Sequence, residues 1–112
     1  KAVKLLFERN NTSMKVNLRF SCRDLPNVDS GSKTDSFVVL FELVNEQWLE
    51  RGRTEIIADN LNPTFIQIVN IEYYFEQDQE FLLLVHDSDN FEKPSVSLQE
   101  ANYIGESQFK IQ

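Results

Sequence analysis

Two pairs of aspartates are the residues of this sequence whose type and spacing could do chemistry. Asp29 and Asp35 flank a short polar loop, and Asp87 and Asp89 directly follow an apolar run. Several short carboxylates that converge on one point provide the hard oxygen ligands that calcium prefers. Aspartate is also a common turn residue that accepts hydrogen bonds from backbone amides, and for either pair alone this second interpretation is favoured. The pairs indicate a calcium site only if the fold brings both loops to one end.

Side chains for catalysis are scarce. His86 is the single histidine, and the single cysteine, Cys22, falls on the inward face of a predicted strand. A nucleophile with a base and an orienting third group cannot be assembled from them, and paired zinc ligands are absent. The three glycines stand far apart, so they form no phosphate-binding loop. We therefore expect no enzymatic activity.

The charge of the 112-residue chain is acidic and uneven. Eleven basic and eighteen acidic residues give a net charge of −7. Residues 57–112 contain two basic and ten acidic side chains, whereas residues 1–56 contain nine and eight. This balance argues against nucleic-acid binding, which needs a basic surface. The length indicates one domain, and the apolar runs are too short to cross a bilayer, so we expect a soluble, intracellular, acidic domain.

Hydrophobic periodicity predicts strands almost throughout. Apolar residues alternate strictly over 16–22, as in a half-buried strand, and the runs 37–41 and 81–85 suit central strands covered on both faces. The stretch 64–75 is rich in β-branched and aromatic residues and also predicts a strand. Turn-forming clusters separate these segments at 26–32, 59–63 and 87–90. About seven short strands without a long helical stripe predict an antiparallel β-sandwich.

Five separated motifs resemble those of the C2 domain family, in its order and roughly its spacing. They are LPNVD (25–29), DSFV (35–38), LNPTF (61–65), VHDSD (85–89) and IGE (104–106). The resemblance covers about residues 14–112, and the segments 52–57 and 73–76 most resemble the first C2 domain of copines. It implies an all-β, eight-stranded antiparallel Greek-key β-sandwich, with residues 1–112 as a single C2 domain and calcium-binding loops at one edge.

In C2 domains three loops lie at one edge of the sandwich, and the first and third of them hold calcium. The resemblance therefore implies that Asp29 and Asp35, in the first loop, lie opposite Asp87 and Asp89, in the third. Four carboxylates without metal would repel anionic lipid, whereas bound Ca²⁺ would convert the same edge into one that accepts lipid headgroups. Phe91 occupies the position in the third loop that often enters the bilayer in this family; it could instead pack back onto the sandwich.

The remaining ligands implied by the resemblance include one departure from the family. Backbone carbonyls beside the aspartates would be those of Val28 and Ser88. The family's fifth carboxylate falls on Asn102, whose amide oxygen can coordinate calcium but brings no charge. The third loop is longer than usual, so Glu100 or Ser95 could take that place.

The resemblance implies a calcium-dependent phospholipid-binding module of a copine-like protein. Its partner would be an anionic, phosphatidylserine-type membrane, and the protein would move from the cytoplasm to cellular membranes with calcium. The alternative is a C2 domain that interacts with protein partners without calcium, which Asn102 favours.

For one strand of the expected sandwich, the sequence contains no obvious segment. The chain stops shortly after the strand that begins near Tyr103, where one topology of the family expects a final strand. The alternating piece 3–7, within the extra residues 1–13, could supply it, either within the chain or by exchange with a neighbour.

Overall fold

The computed structural model describes residues 13–27, 34–88 and 102–111, and of Asn102 it describes the backbone alone. The described residues form six strands and no helix: β1 (Ser13–Leu18), β2 (Ser36–Val44), β3 (Gln47–Arg53), β4 (Val69–Tyr74), β5 (Gln79–Asp87) and β6 (Asn102–Ile111). One sheet has the order β1-β4 and the other the order β3-β2-β5-β6, and every pairing is antiparallel. The predicted all-β antiparallel sandwich is confirmed, whereas the count of eight strands stays a prediction. None of the described segments is a helix of the length and hydrophobicity that crossing a membrane needs.

The main core lies between the two sheets. Leu40 and Phe81 come from the centre of the larger sheet, and Val69 and Ile71 come from β4; all four are at most 4% exposed. Alternate residues of β1 pack against the same cluster, as the alternation over 16–22 predicts. Burial of a side chain such as Phe81 contributes about 1.5–3 kcal/mol, so these contacts hold the sheets face to face.

The outer face of β2 is covered as well. Phe37 and Val39 are buried, and Phe41 and Ile56 pack against them. Because successive residues of a strand point to opposite faces, β2 has apolar neighbours on both sides. This confirms the central strand that the run 37–41 predicts.

The strand predicted over 64–75 begins later than expected, at Val69. The Glu55 carboxylate accepts hydrogen bonds from the backbone amides of Ile66, at 2.8 Å, and Gln67, at 3.1 Å. Partial burial acts to raise the pKa of Glu55, but hydrogen bonds from the backbone of Ile66, Gln67 and Glu55 itself outweigh it and lower that pKa below its ordinary value. Amides bound to a side chain are not available to a neighbouring strand, which explains the late start of β4.

A polar bridge joins the two sheets at the end of β5 where Gln79 lies. The Gln79 side chain donates to the Glu42 carboxylate at 3.0 Å and to the Glu72 carbonyl at 2.8 Å, and it accepts from the Tyr74 amide at 2.9 Å. Arg51 donates to the other Glu42 oxygen at 3.0 Å. Glu42 is 8% exposed, so these donors replace the water that its charge has lost.

Gly52 of β3 packs closely against Val69 of β4. A Cβ atom at this position would lie 2.7 Å from Cγ1 of Val69, whereas one at Gly105 would have no neighbour within 4 Å. The branched side chain of valine has restricted χ1 rotation and cannot easily turn away. Gly52 is therefore required by packing and not by backbone conformation.

We expect Gly52→Ala to lower the free energy of unfolding by about 1–3 kcal/mol, because the added methyl group overpacks the sheet interface. Gly105→Ala is the matched control, since both substitutions restrict the unfolded chain equally. Urea denaturation of the two variants measures the difference. Equal midpoints for both would contradict the close packing of Gly52 against Val69.

Candidate functional site

Three strand ends meet at one edge of the larger sheet. Ser36, the first residue of β2, is paired with Asp87, the last residue of β5. Asp87 is in turn paired with Asn102, the first residue of β6. The segment that leads into β2 and the segment that connects β5 to β6 therefore leave the sheet side by side, at the end opposite the Gln79 bridge.

Asp35 and Asp87 are joined directly at this edge. The Asp35 amide donates to Oδ1 of Asp87 at 2.8 Å, and the Ser88 amide donates to the Asp35 carbonyl at 2.8 Å. Asp87 and Ser88 are 0% and 1% exposed. The first and third predicted loops are thus tied together at their bases by one carboxylate and two amides.

A turn in the 59–63 cluster adds a third contributor. The Asp59 amide donates to Oδ1 of Asp35 at 2.7 Å, and the φ angle of Asp59 is 55°. The Asn60 amide donates to the Thr34 carbonyl at 3.1 Å, while the buried Thr34 hydroxyl donates to the Pro26 carbonyl at 2.8 Å. The Asp35 carboxylate is therefore held in one orientation by a neighbouring loop.

The sequence assigned no role to Asp59 or Thr34. The available signal was the turn-forming cluster itself, since asparagine and aspartate tolerate a positive φ angle and bond to nearby backbone. Which carboxylate accepts a hydrogen bond from the Asp59 amide depends on contacts between distant segments of the chain. The local sequence pattern does not indicate those contacts.

The structure places only part of the predicted site. Asp35, Asp87 and Ser88 lie together at the edge just described, and the backbone of Asn102 lies opposite Asp87. The other predicted site residues, together with the two alternatives for the fifth ligand, lie outside the described residues: Val28, Asp29, Asp89, Phe91, Ser95 and Glu100. Among the residues that the structure describes, no three acidic, histidine or cysteine side chains form a metal-binding group.

The donor chemistry of the two described aspartates fits calcium. A carboxylate offers about four lone-pair positions, so the amide hydrogen bonds at Oδ1 of Asp35 and Oδ1 of Asp87 leave further capacity for coordination. Both side chains present hard oxygen donors on short stems that are already positioned. Fixed oxygens require little reorganisation when a cation arrives.

His86 lies directly beneath this edge and is 5% exposed. Its ring stacks on Phe37 with centroids 5.7 Å apart and meets the edge of Tyr103 at 6.0 Å. Burial, and then the positive charge of Arg53, lower the pKa of His86 below its ordinary value. The imidazole packs as an aromatic ring against Phe37 and Tyr103.

A family model for the C2 domain matches residues 14–112, and the chain belongs to the C2 domain family. Human GIVD cytosolic phospholipase A2, solved in complex with a fluorophosphonate inhibitor and terbium chloride, superposes with a TM-score of 0.65 at 18% identity. That match covers 88% of this chain and 14% of the phospholipase chain. At this identity the likeness shows the fold alone.

Two further solved structures match most of this chain. One, described as the structure of a C2 domain, has a TM-score of 0.64 at 23% identity and covers 89% of this chain and 77% of its own. The other, BON1-C2B, has a TM-score of 0.60 at 20% identity, with coverage of 87% and 64%. A C2 domain is a non-catalytic module. The matches identify the family without a subtype, so the copine likeness stays a prediction.

The hydrogen bond from Asp35 to Asp87 predicts different outcomes for two substitutions measured without calcium. Asp87→Ala leaves the Asp35 amide without its acceptor and should lower the free energy of unfolding by about 1–3 kcal/mol. Asp87→Asn keeps a carbonyl oxygen in that position and should be less damaging. Thermal or urea denaturation in chelator separates the two, and equal losses would contradict this role of Oδ1.

Proposed function

We propose that this C2 domain is a calcium-dependent phospholipid-binding module that recruits its parent protein from the cytoplasm to anionic, phosphatidylserine-type membranes. The ligands would be Asp29, Asp35, Asp87, Asp89 and Asn102, with the backbone carbonyls of Val28 and Ser88. On the sequence motifs alone, the parent protein is proposed to be copine-like.

The observation that carries this proposal is the junction of Asp35 and Asp87. The Asp35 amide holds the Asp87 carboxylate, from a segment 52 residues away, at the shared end of β2 and β5, and the Asp59 amide holds the Asp35 carboxylate beside it. Asp29 and Asp89 lie six and two residues from these anchors along the chain. Loops that start from one point can bring four carboxylates within reach of the same cation.

The charge of this edge explains why calcium would control membrane contact. Carboxylates crowded at one edge repel one another and also repel anionic lipid. Bound Ca²⁺ would neutralise them and offer open coordination positions to headgroup phosphate or carboxylate. The chain itself contributes the fixed donors at Asp35 and Asp87 and, as we propose, an apolar side chain at Phe91 that enters the bilayer.

A second candidate function is protein interaction without calcium. The hydrogen bonds at Asp35 and Asp87 hold this edge together through groups of the chain itself. Asn102 also brings no charge to the position paired with Asp87. The experiments below distinguish the two functions.

Millimolar calcium should raise the melting temperature of the domain, because a ligand that binds only the folded state stabilises it by mass action. Magnesium should raise it far less, since it requires near-ideal octahedral geometry. Asp35→Asn should remove the calcium effect. Asp78→Asn is the charge-matched control at the opposite end of β5 and should retain it. Identical melting curves in calcium and chelator would favour the interaction module.

Liposomes that contain phosphatidylserine should co-sediment the domain in calcium, and neutral liposomes should do so much less. Asp87→Asn combined with Asp89→Asn should abolish the sedimentation while the fold is retained. Phe91→Ala should weaken binding by about 1–3 kcal/mol, the value of burying one large apolar side chain. Phe75, which is 43% exposed beyond the opposite end of β4, provides the control Phe75→Ala. Full binding by the double variant would refute the calcium bridge.

Asn102→Asp should tighten calcium binding in solution by about tenfold, or about 1.4 kcal/mol, because an oxygen cage binds more strongly with one more charge. It should also lower the calcium concentration that liposome binding needs. If Glu100 already supplies the fifth carboxylate, Asn102→Asp will change little and Glu100→Gln will be damaging. Calcium titrations of the two variants in parallel decide between these outcomes. A calcium affinity that does not increase in Asn102→Asp would refute the place of residue 102 in the site.

A further inference from the structure

β6 is the longest of the six described strands and pairs on one side only within the described residues. It lies at an edge of the larger sheet, where β5 is its neighbour. Residues 3–7, for which the sequence predicts a further strand, lie outside the described residues. The outer side of β6 therefore presents backbone donors and acceptors for which the described part of the chain offers no partner, and such a row can pair with another strand.

β6 has few of the features that usually protect an edge strand. Short length, proline and bulges are common protective devices. β6 has ten residues and no proline, and its register shift against β5 lies near the end where Asn102 begins it. The remaining segment 105–111 pairs with β5 in an unbroken register. β3, at the other edge of this sheet, has seven residues and a register shift within it. The longer and more regular template is therefore β6.

The charges on the outer face of β6 are complementary to themselves. Phe109 and Ile111 pack against the main core. Because side chains alternate along a strand, Glu106, Gln108 and Lys110 face outward, and all three are exposed. If two β6 strands pair antiparallel with the centre at Gln108, Glu106 of each copy lies directly opposite Lys110 of the other. This arrangement has two cross-strand ion pairs that are related by symmetry.

The inner face of the same arrangement places small residues opposite large ones. Gly105 lies opposite Ile111 of the other copy, and Ser107 lies opposite Phe109. A Cβ atom at Gly105 would have no neighbour within 4 Å, so there is open space beside it. Phe109 and Ile111 are only partly buried within one chain. Pairing would cover part of their remaining apolar surface, which favours association.

The neighbouring registers lose the match of charges. Moving the centre by one residue shifts the register by two, which is the smallest shift that keeps each side chain on its face. When the centre lies at Ser107 or at Phe109, Glu106 lies opposite a glutamine and Lys110 lies opposite an uncharged residue. The charges therefore select the centre at Gln108.

We propose that two copies of this chain associate through β6, in an antiparallel pair centred on Gln108 that joins their larger sheets into one. Lys110 lies 3.8 Å from Glu80 of β5 within the chain. In the dimer each Lys110 lies between that carboxylate and Glu106 of the other copy. Edge pairing of one strand buries less area than a standard interface, so we expect a dissociation constant on the order of 100 µM.

The antiparallel pair also determines where the two proposed calcium sites lie. β6 begins opposite Asp87, at the edge where Asp35 and Asp87 are joined. Because the two β6 strands run in opposite directions, these edges lie at opposite ends of the dimer. A dimer can then contact two membranes at once, whereas one domain contacts a single membrane. This consequence, unlike the dimer itself, rests on the function proposed above.

Sedimentation equilibrium in chelator tests the dimer without calcium. The unmodified chain should show a reversible monomer–dimer equilibrium. Glu106→Lys and Lys110→Glu each place like charges opposite one another at two positions, so each should weaken the dimer by about tenfold or more. The two substitutions combined should return the affinity to within about fivefold of the unmodified chain. Glu46→Lys, in the exposed turn between β2 and β3, is the charge-matched control and should retain the dimer.

Two results of this measurement would overturn the proposal. One is a chain that stays monomeric at millimolar concentration. The other is a dimer that the single substitutions at Glu106 and Lys110 leave unchanged, which would show that another surface forms it.

Gln108→Cys reads out the register. Residues directly opposite in an antiparallel pair have Cβ atoms about 4.5–5.5 Å apart, which is near the geometry of a disulfide. Oxidation with copper phenanthroline should therefore cross-link Gln108→Cys, and adding Glu106→Lys should slow the reaction by about tenfold. The unmodified chain, whose single cysteine is the half-buried Cys22, is the control and should not cross-link. Equal rates with and without Glu106→Lys would overturn the register.

Liposomes that contain phosphatidylserine separate the dimer from the calcium function. In calcium the unmodified chain should cluster them, seen as a rise in light scattering. Glu106→Lys should still co-sediment with the liposomes and should cluster them at least about tenfold less, whereas Glu46→Lys should cluster them normally. Co-sedimentation of the unmodified chain without clustering would overturn the opposed arrangement. No co-sedimentation at all would contradict the proposed function alone, because the dimer is measured in chelator.

Discussion

The hydrogen bond from the Asp35 amide to the Asp87 carboxylate is the constraint on which the proposed site depends. It closes the end of the β2–β5 pair, where the Ser88 amide also bonds to the Asp35 carbonyl. The Asp59 amide then orients the Asp35 carboxylate. A cation site built on these residues starts from donors that the backbone has already placed, so little conformational entropy remains to be lost on binding.

The carboxylates at the two ends of the sandwich have different hydrogen-bond donors. Glu42 meets Arg51 and Gln79, whose donors satisfy both of its oxygens, and the same Gln79 side chain bonds to the backbone of β4 in the other sheet. Asp35 and Asp87 meet backbone amides, which carry partial charges and leave most of the negative charge in place. The first arrangement stabilises the fold by itself. The second stabilises it less and retains an attraction for cations, which is what a calcium-controlled edge requires.

The fold was predictable where local pattern and burial agree. The apolar runs of β2 and β5 reflect which faces are covered, and those strands contain the predicted segments, whereas β1 starts before the predicted alternating segment 16–22 and ends at Leu18. The late start of β4 was not predictable, because the Glu55 carboxylate takes two amides that propensity assigns to a strand. Such a contact depends on tertiary structure and leaves no periodic signal.

The site was predictable in residue type and only partly in arrangement. Spacing identified the aspartates, and the resemblance to C2 domains supplied the expectation that their loops share an edge. The pairing of Ser36 with Asp87 and of Asp87 with Asn102 brings the bases of those loops together. The contribution of Asp59 could not be predicted, since it depends on the contact of a third loop with Asp35. The positions of Asp29 and Asp89 stay predictions.

Isothermal titration of calcium into the domain tests the central claim most directly. The account predicts a saturable binding heat, with the last ion bound only at high micromolar to millimolar calcium, because Asn102 brings no charge to the site. It also predicts that Asp87→Asn, which keeps the acceptor for the Asp35 amide, remains folded and loses the heat. No heat above dilution in the unmodified domain, or the same heat in folded Asp87→Asn, would contradict a calcium site at this edge.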